Sequence, residues 1–354
     1  MPTSLDRLSP WRACVAPMLD WTDRHCRYFH RLLSPHARLY TEMLTTGALV
    51  HGNMTRFLDY SEQEHPVALQ LGGSEPADLA HCAKLAQQWG YDEVNLNCGC
   101  PSERVQRGAF GACLMSEASL VADCVKAMID AVGGDPAVPI TVKHRIGIDQ
   151  IERYDFVRDF VGTVADAGCR VFIVHARNAW LKGLSPKENR EIPPLRYEFV
   201  HRLKRDFPAF TIVLNGGLAD NAACVEQLRP GADGVALDGV MVGRAAYHTP
   251  WMMAEWAALL FGDEQTSAGL TREGVEAAMV DYMQCEVDRT RGWEHGEVRW
   301  PQVARHMLGL YNGLPGARYW RQVWSDHKLK DLPAAEVFRL AHQRPEKRVE
   351  QAMA

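Results

Sequence analysis

No stretch of this 354-residue chain approaches the roughly 20 consecutive apolar residues needed to cross a bilayer. Residues 1–12 hold no apolar run of signal-peptide length either, so the expectation is a soluble, cytoplasmic protein. The ten cysteines lack regular spacing: they stand at 14, 26, 82, 98, 100, 113, 124, 169, 224 and 285, several inside apolar runs. That argues against a secreted disulfide framework and makes reduced thiols the expected state. A Gly-rich dinucleotide fingerprint is missing too, because the first apolar run leads into Ala16-Pro17-Met18-Leu19-Asp20. An overall excess of positive charge is likewise absent, the net charge being −5.

What is present is a globular balance, 47% hydrophobic and 23% charged, sufficient to bury a full core. Charge is unevenly spread. Residues 289–348 hold twelve Lys/Arg against six Asp/Glu, a surplus of 6 that leaves the remainder at −11. A nucleic-acid partner disfavoured by the whole chain is therefore compatible with its C-terminal part.

Through the first 250 residues short apolar runs alternate with helical patterns, the signature of βα units around a parallel sheet. Eight strands are expected, at 13–16, 38–42, 67–71, 93–97, 140–144, 171–175, 211–215 and 234–237, with helices at 76–89, 119–132, 154–167, 197–207 and 219–228. Eight closes a barrel, and the missing fingerprint disfavours a doubly wound open sheet, so the expected fold is a (β/α)₈ TIM barrel. The polar, turn-rich residues 262–269 mark a boundary. Beyond it Val275, Met279, Tyr282 and Met283 repeat at helical spacing, and Pro301 and Pro333 stand where helices can begin. The expected division is a catalytic barrel over 1–262 and a small helical domain over 270–345.

In such a barrel the active site lies at the C-terminal strand ends. Those ends offer Pro17 and Met18, Glu42, Gln70, Asn97 with Cys100, Lys143, His175 with Arg177, and Asn215-Gly216-Gly217, with Gly243-Arg244 after the eighth. Any one of them could simply be a strand meeting solvent. The pairing of Gly216-Gly217 with Gly243-Arg244 is sharper, since a phosphate between the last two strands needs backbone free of side chains and a guanidinium to bind it. A lysine at the mouth suits an electron-rich ring, and His175 reads as a binding group.

Asn95-Leu96-Asn97-Cys98-Gly99-Cys100-Pro101 is the most informative stretch. Zinc would need four ligands, and Cys113 lacks an adjacent partner, so no metal is expected. A disulfide across Cys-x-Cys is geometrically awkward. The third reading makes Cys100 a single acid or nucleophile on a mobile loop, with Cys98 an apolar filler.

The run from Leu96 to Ser102, continued by Gly111-Ala112-Cys113-Leu114-Met115, resembles the signature loop of the tRNA-dihydrouridine synthases. Ala16 to Asp20, Gln70-Leu71-Gly72-Gly73, Thr141-Val142-Lys143-His144-Arg145 and Val174-His175-Ala176-Arg177 match further motifs of that family in order. Gly183 to Arg190 and Arg305-His306-Met307-Leu308-Gly309 are similar to its A-type subfamily, and the resemblance covers nearly the whole chain.

The resemblance implies a flavin enzyme that reduces uridines 20 and 20a of the tRNA D-loop to dihydrouridine. FMN would be bound by Pro17, Met18, Leu19, Gln70, Lys143, His175, Asn215, Gly216, Gly217, Gly243 and Arg244. NADPH would reduce it, hydride would pass from flavin N5 to uracil C6, and Cys100 would give the proton to C5. Asn97, Lys187, Arg190, Arg299 and Arg305 would face the RNA. No obligate protein partner is implied. The competing readings are a flavin barrel acting on a free pyrimidine or another small unsaturated substrate, and a non-catalytic RNA-binding protein. A basic helical appendage speaks against the former.

Overall fold

Alternation with period two gives each strand one face toward the barrel interior and one toward the helices. In β4 (Glu93–Cys98) the side chains of Glu93, Asn95 and Asn97 share the inner face, while Val94, Leu96 and Cys98 join the apolar layer outside. The computed structural model describes residues 8–52, 54–102, 105–106, 108–133, 138–293 and 296–343. The outermost parts of the two expected units, 1–7 and 344–345, lie outside the described residues.

The other strands are β1 (Ala13–Val15), β2 (Leu39–Thr45), β3 (Val67–Gly72), β5 (Ile140–Arg145), β6 (Val171–His175), β7 (Thr211–Asn215) and β8 (Gly239–Val242). All pair in parallel, in the order β1-β8-β7-β6-β5-β4-β3-β2. A parallel bridge between Cys14 and Arg38 closes the ring, carried by Val15 N–H to the Arg38 carbonyl and Arg38 N–H to the Ala13 carbonyl, both 2.9 Å. Eight parallel strands alternating with helices and then a set of C-terminal helices make this a (β/α)₈ barrel with a helical appendage.

The outer layer follows its sequence periodicity. The helix Tyr154–Asp166 buries Tyr154, Val157, Phe160, Val161, Val164 and Ala165, one stripe at helical spacing. The helix expected from 219 begins two residues later, as Asn221–Leu228, because the Asp220 carboxylate caps it by accepting the Ala223 N–H at 2.8 Å.

One strand differs from expectation. Residues 234–237 do not form β8. Gly234 sits in a turn closed by its own N–H to the Gly231 carbonyl at 2.9 Å, and Asp233 accepts the Val235 N–H at 3.1 Å. The ladder is built by Gly239–Val242, where a Cβ on Gly239 would lie 1.8 Å from the Trp11 carbonyl oxygen, so only glycine lets β8 approach the chain entering β1. Strand β2 also runs past the expected 42 to Thr45, with a bulge between Tyr40 and Met43.

Gly262 ends the helix Trp256–Phe261, and Thr271 caps the helix Arg272–Arg289, which buries Val275, Met279, Tyr282 and Met283. Pro301 lies in the first turn of Trp300–Ala304, and Pro333 precedes Ala334–His342. At the centre of the appendage the buried Glu276 carboxylate accepts from Trp320 Nε1 and Trp324 Nε1, both 2.8 Å, and from Tyr311 Oη at 3.0 Å, with His342 Nε2 at 2.8 Å. Four partners offset the cost of burying that charge.

The appendage seats on the helix Arg24–Leu33. Tyr282 stacks on Tyr28 with ring centroids 3.8 Å apart, and its hydroxyl lies 2.9 Å from His25 Nδ1. Asp23, the N-cap of that helix, holds Arg305 at 2.7 Å and His306 at 3.0 Å.

Candidate active site at the barrel mouth

Because every strand is parallel, all eight C-terminal ends open on one mouth. The loop after β4 is anchored from within it. Asn97 Oδ1 accepts the Gly99 and Cys100 N–H groups, each at 3.0 Å, and Asn97 Nδ2 donates to Gln70 Oε1 at 2.9 Å. The Cys100 carbonyl accepts the Ala112 N–H at 2.9 Å, which folds the loop back on itself and leaves the thiol partly exposed.

Arg145, at the end of β5, is buried and ties that loop to the next. Its Nε donates to the Gly99 carbonyl at 3.1 Å, and one terminal nitrogen donates to the Asn178 and Asn189 carbonyls at 3.2 and 2.9 Å. Gln106 adds a second tie, donating to Pro101 and Leu181 carbonyls at 2.7 and 2.9 Å.

Burial, reinforced by Arg145, pushes the Lys143 ammonium down to about 7, with Cys100 acting in the opposite sense. Burial likewise pushes Arg145 down to about 9, again opposed by Cys100. Arg190 is lowered by desolvation and by Arg244, and Cys100 opposes that shift too. One thiol is therefore electrostatically coupled to three cations. His175 is held well below the usual imidazole range by burial and then by Arg145 and Lys143, which favours its neutral form.

The ends of β7 and β8 form a second part of the mouth. Gly216 and Gly217 take φ of +110° and +72°, and a Cβ on Gly216 would come within 2.6 Å of the His175 ring. Asn215 Nδ2 donates to the Met241 carbonyl at 2.7 Å, and Tyr197 Oη donates to the Gly216 carbonyl at 2.7 Å, fixing the turn to its neighbours. Arg177 donates to the Glu191 and Pro193 carbonyls, and its buried Nε has no hydrogen-bond partner. Arg244 pairs with Glu191 at 2.5 Å across a half-exposed edge.

Met18 N–H donates to Thr22 Oγ1 at 2.9 Å, and a Cβ on Gly243 would lie 3.9 Å from Met18 Sδ, so the first and last strand ends meet. Pro17 is half-buried beside them, and Leu19 is exposed to 68%, unusual for leucine. Among the described residues no group of His, Cys, Asp or Glu is arranged to hold a metal.

The profile of the family described as dihydrouridine synthase (Dus) matches residues 14–343. The chain is 56% identical over 327 residues to a tRNA-dihydrouridine(20/20a) synthase of Yersinia pestis, covering 92% of this chain and 88% of that protein. It is 54% identical over 343 residues to the Escherichia coli (strain K12) protein of the same name, covering 97% and 93%. A third, from Shewanella oneidensis, is 53% identical over 329 residues, covering 93% and 92%.

The chain belongs to the dihydrouridine synthase family. As a dihydrouridine synthase it is an enzyme, and its mouth gathers Met18, Gln70, Asn97, Cys100, Lys143, His175, Asn215, Gly216, Gly217, Gly243 and Arg244 at the strand ends. Lys187 and Arg190 lie exposed in the loop after β6. Arg299 and Arg305 lie apart from them on the appendage, exposed, with Arg305 already paired to Asp23. Asn97 is buried, its amide engaged with Gln70 and the loop backbone.

Two residues escaped the reading of strand ends. Arg145 follows Lys143 at the next inward position of β5 and was legible in period-two alternation, but guanidinium burial is not a sequence property. Glu191 carries no signal at all, since only the fold brings it to Arg244. Cys98 lies in the apolar layer between barrel and helices, where burial drives its thiol far above the usual range, as expected of a filler.

Proposed function

We propose that this enzyme reduces uridines 20 and 20a of the tRNA D-loop to 5,6-dihydrouridine, with FMN in the barrel mouth and NADPH as the reductant. One arrangement carries the reading: the Cys100 loop, tied to Asn97 and Arg145, places its thiol in the field of Lys143, Arg145 and Arg190 at the mouth of a family barrel. The relatives' names supply the substrate class and positions.

The chemistry of the mouth suits a phosphorylated, electron-rich ring. The Gly216-Gly217 turn leaves backbone open where a side chain would strike His175, and a buried Arg177 nitrogen has no partner. Pro17, Met18, Leu19, Gln70, Lys143, His175, Asn215, Gly216, Gly217, Gly243 and Arg244 would hold the cofactor, Arg244 exchanging Glu191 for phosphate. When bound and reduced by NADPH, FMN would supply the hydride that uracil C6 requires.

The chain's own residues do the rest. Lys143 gains its proton readily near neutrality and places positive charge where negative charge develops on a reduced ring. Neutral His175 positions without donating a proton. Cys100 Sγ–H gives the proton to uracil C5 and recovers one from solvent. A base in folded RNA reaches such a mouth only by leaving its stack, and Asn97, Lys187, Arg190, Arg299 and Arg305 serve the RNA around it. The described residues form one eight-stranded barrel sheet and no second sheet for a dinucleotide, so NADPH and RNA would use the mouth in turn, giving ping-pong kinetics.

The test is direct. Purified protein should show flavin absorbance and, with NADPH and an unmodified tRNA transcript, form dihydrouridine at 20 and 20a. A flavin-free protein, or one that reduces free uridine as fast as tRNA, would overturn the proposal.

A further inference from the structure

A hydrogen-bonded chain runs the length of the barrel interior, from its N-terminal end to the loop that bears Cys100. Glu93 is fully buried. Its Oε2 accepts from Trp11 Nε1 at 2.7 Å and pairs with Arg38 at 3.3 Å, while its Oε1 accepts from Tyr40 Oη at 2.9 Å and from Thr141 Oγ1 at 2.5 Å. Thr141 Oγ1 then accepts from Asn95 Nδ2 at 2.7 Å, and Asn95 Oδ1 accepts from Gln70 Nε2 at 2.7 Å. Gln70 Oε1 accepts from Asn97 Nδ2 at 2.9 Å, and Asn97 Oδ1 accepts the Gly99 and Cys100 N–H groups at 3.0 Å.

From the Cys100 amide to Glu93 every donor points the same way, and the reason lies at the Glu93 end, where further donors converge. A side-chain amide can present either its oxygen or its nitrogen, and its neighbours decide which. The Trp11 indole and the Arg38 guanidinium can only donate, so they fix Glu93 as an acceptor. Thr141 must then give it a hydrogen and offer a lone pair to Asn95. That turns the Asn95 oxygen toward Gln70, the Gln70 oxygen toward Asn97, and the Asn97 oxygen toward the loop. A reversal anywhere would set the Asn97 NH₂ against two backbone N–H groups.

We infer that Glu93, Thr141 and Asn95 are positioning residues, which act through Gln70 and Asn97 to hold the Cys100 loop in register. This rests on the proposed use of Cys100, and it concerns residues that touch neither substrate nor cofactor. Because fully satisfied buried networks are cooperative, the effect of one link should reach the end of the chain.

Glu93→Gln would strand Arg38 and could unfold the barrel, so the working variant is Thr141→Val, with Thr141→Ser as the rescue. In purified holoenzyme, Thr141→Val should raise hydrogen exchange of the Gly99 and Cys100 amides roughly five- to tenfold, the worth of about one hydrogen bond, and Thr141→Ser should restore it. Amides of β6 and β7 should exchange at the wild-type rate. Turnover on tRNA, measured per bound flavin and at saturating tRNA, should fall in step. Unchanged exchange at Gly99 and Cys100, or a rise shared equally by β6 and β7, overturns the inference. Faster loop exchange with unaltered turnover supports the positioning chain and counts instead against Cys100 as the proton donor.

Discussion

Lys143 concentrates the charge conflict of the mouth in one residue. Burial and Arg145 lower it to about 7 from an ordinary 10.5. Between those values the unfolded chain binds a proton that the folded chain does not, so stability without cofactor rises as pH is raised from about 7 to 10.5. The penalty is fully present below about 7. Thermal unfolding of apoprotein over that range should show the slope, and Lys143→Met should flatten it; an equal slope in both proteins would remove Lys143 as its source. The same substitution should weaken flavin retention, as should Arg244→Ala, because each removes a cation from a partly water-excluded mouth. Full flavin occupancy in both purified variants would contradict the binding assignment.

The helix Arg24–Leu33 joins barrel to appendage and carries two histidines held neutral by burial, His25 lowered to about 4 and His30 to about 3. Each should charge in the unfolded chain near 6.5 and resist charging in the fold, so stability falls as pH drops from about 6.5 toward 4. Asp23 and Glu286 favour the charged form of His25, Arg24 and His306 oppose it, and burial outweighs all four. Tyr282→Phe leaves the stack on Tyr28 but strips His25 of its hydroxyl partner, and should cost about 1–2 kcal/mol in denaturant unfolding. No change would show that solvent satisfies the ring. At this scale most elements were legible beforehand. The helix Tyr154–Asp166 follows from its apolar periodicity, and strands β6 and β7 from short continuous apolar runs between helical patterns. The eighth strand was not, because two short apolar runs flank Asp238 and only the close approach of Gly239 to Trp11 selects the second. The mouth was legible where strand ends carry polar residues, but the Glu93 chain was not, since its links join four strands.

For the whole molecule, a net charge of −5 with a basic C-terminal stretch makes the proposed RNA binding a local electrostatic event that salt should weaken steeply. Arg299 is exposed, so Arg299→Ala should reduce the slope of log affinity against log salt by about one unit without altering flavin content. An unchanged slope would place that residue outside the RNA contact. Arg305→Ala should also loosen the seam at Asp23 and therefore cannot isolate the electrostatic part. The central claim joins barrel, thiol and RNA in one reaction, and it is tested most directly by comparing dihydrouridine formation in tRNA by Cys100→Ala and Cys98→Ala holoenzymes. Loss of a general acid typically costs ~100- to 10,000-fold, so Cys100→Ala should collapse product formation while retaining FMN and NADPH oxidation by an artificial acceptor. Cys98→Ala, which trims an apolar filler outside the barrel, should keep most activity. Equal loss in the two variants with flavin still bound would contradict the account and favour a paired-thiol mechanism.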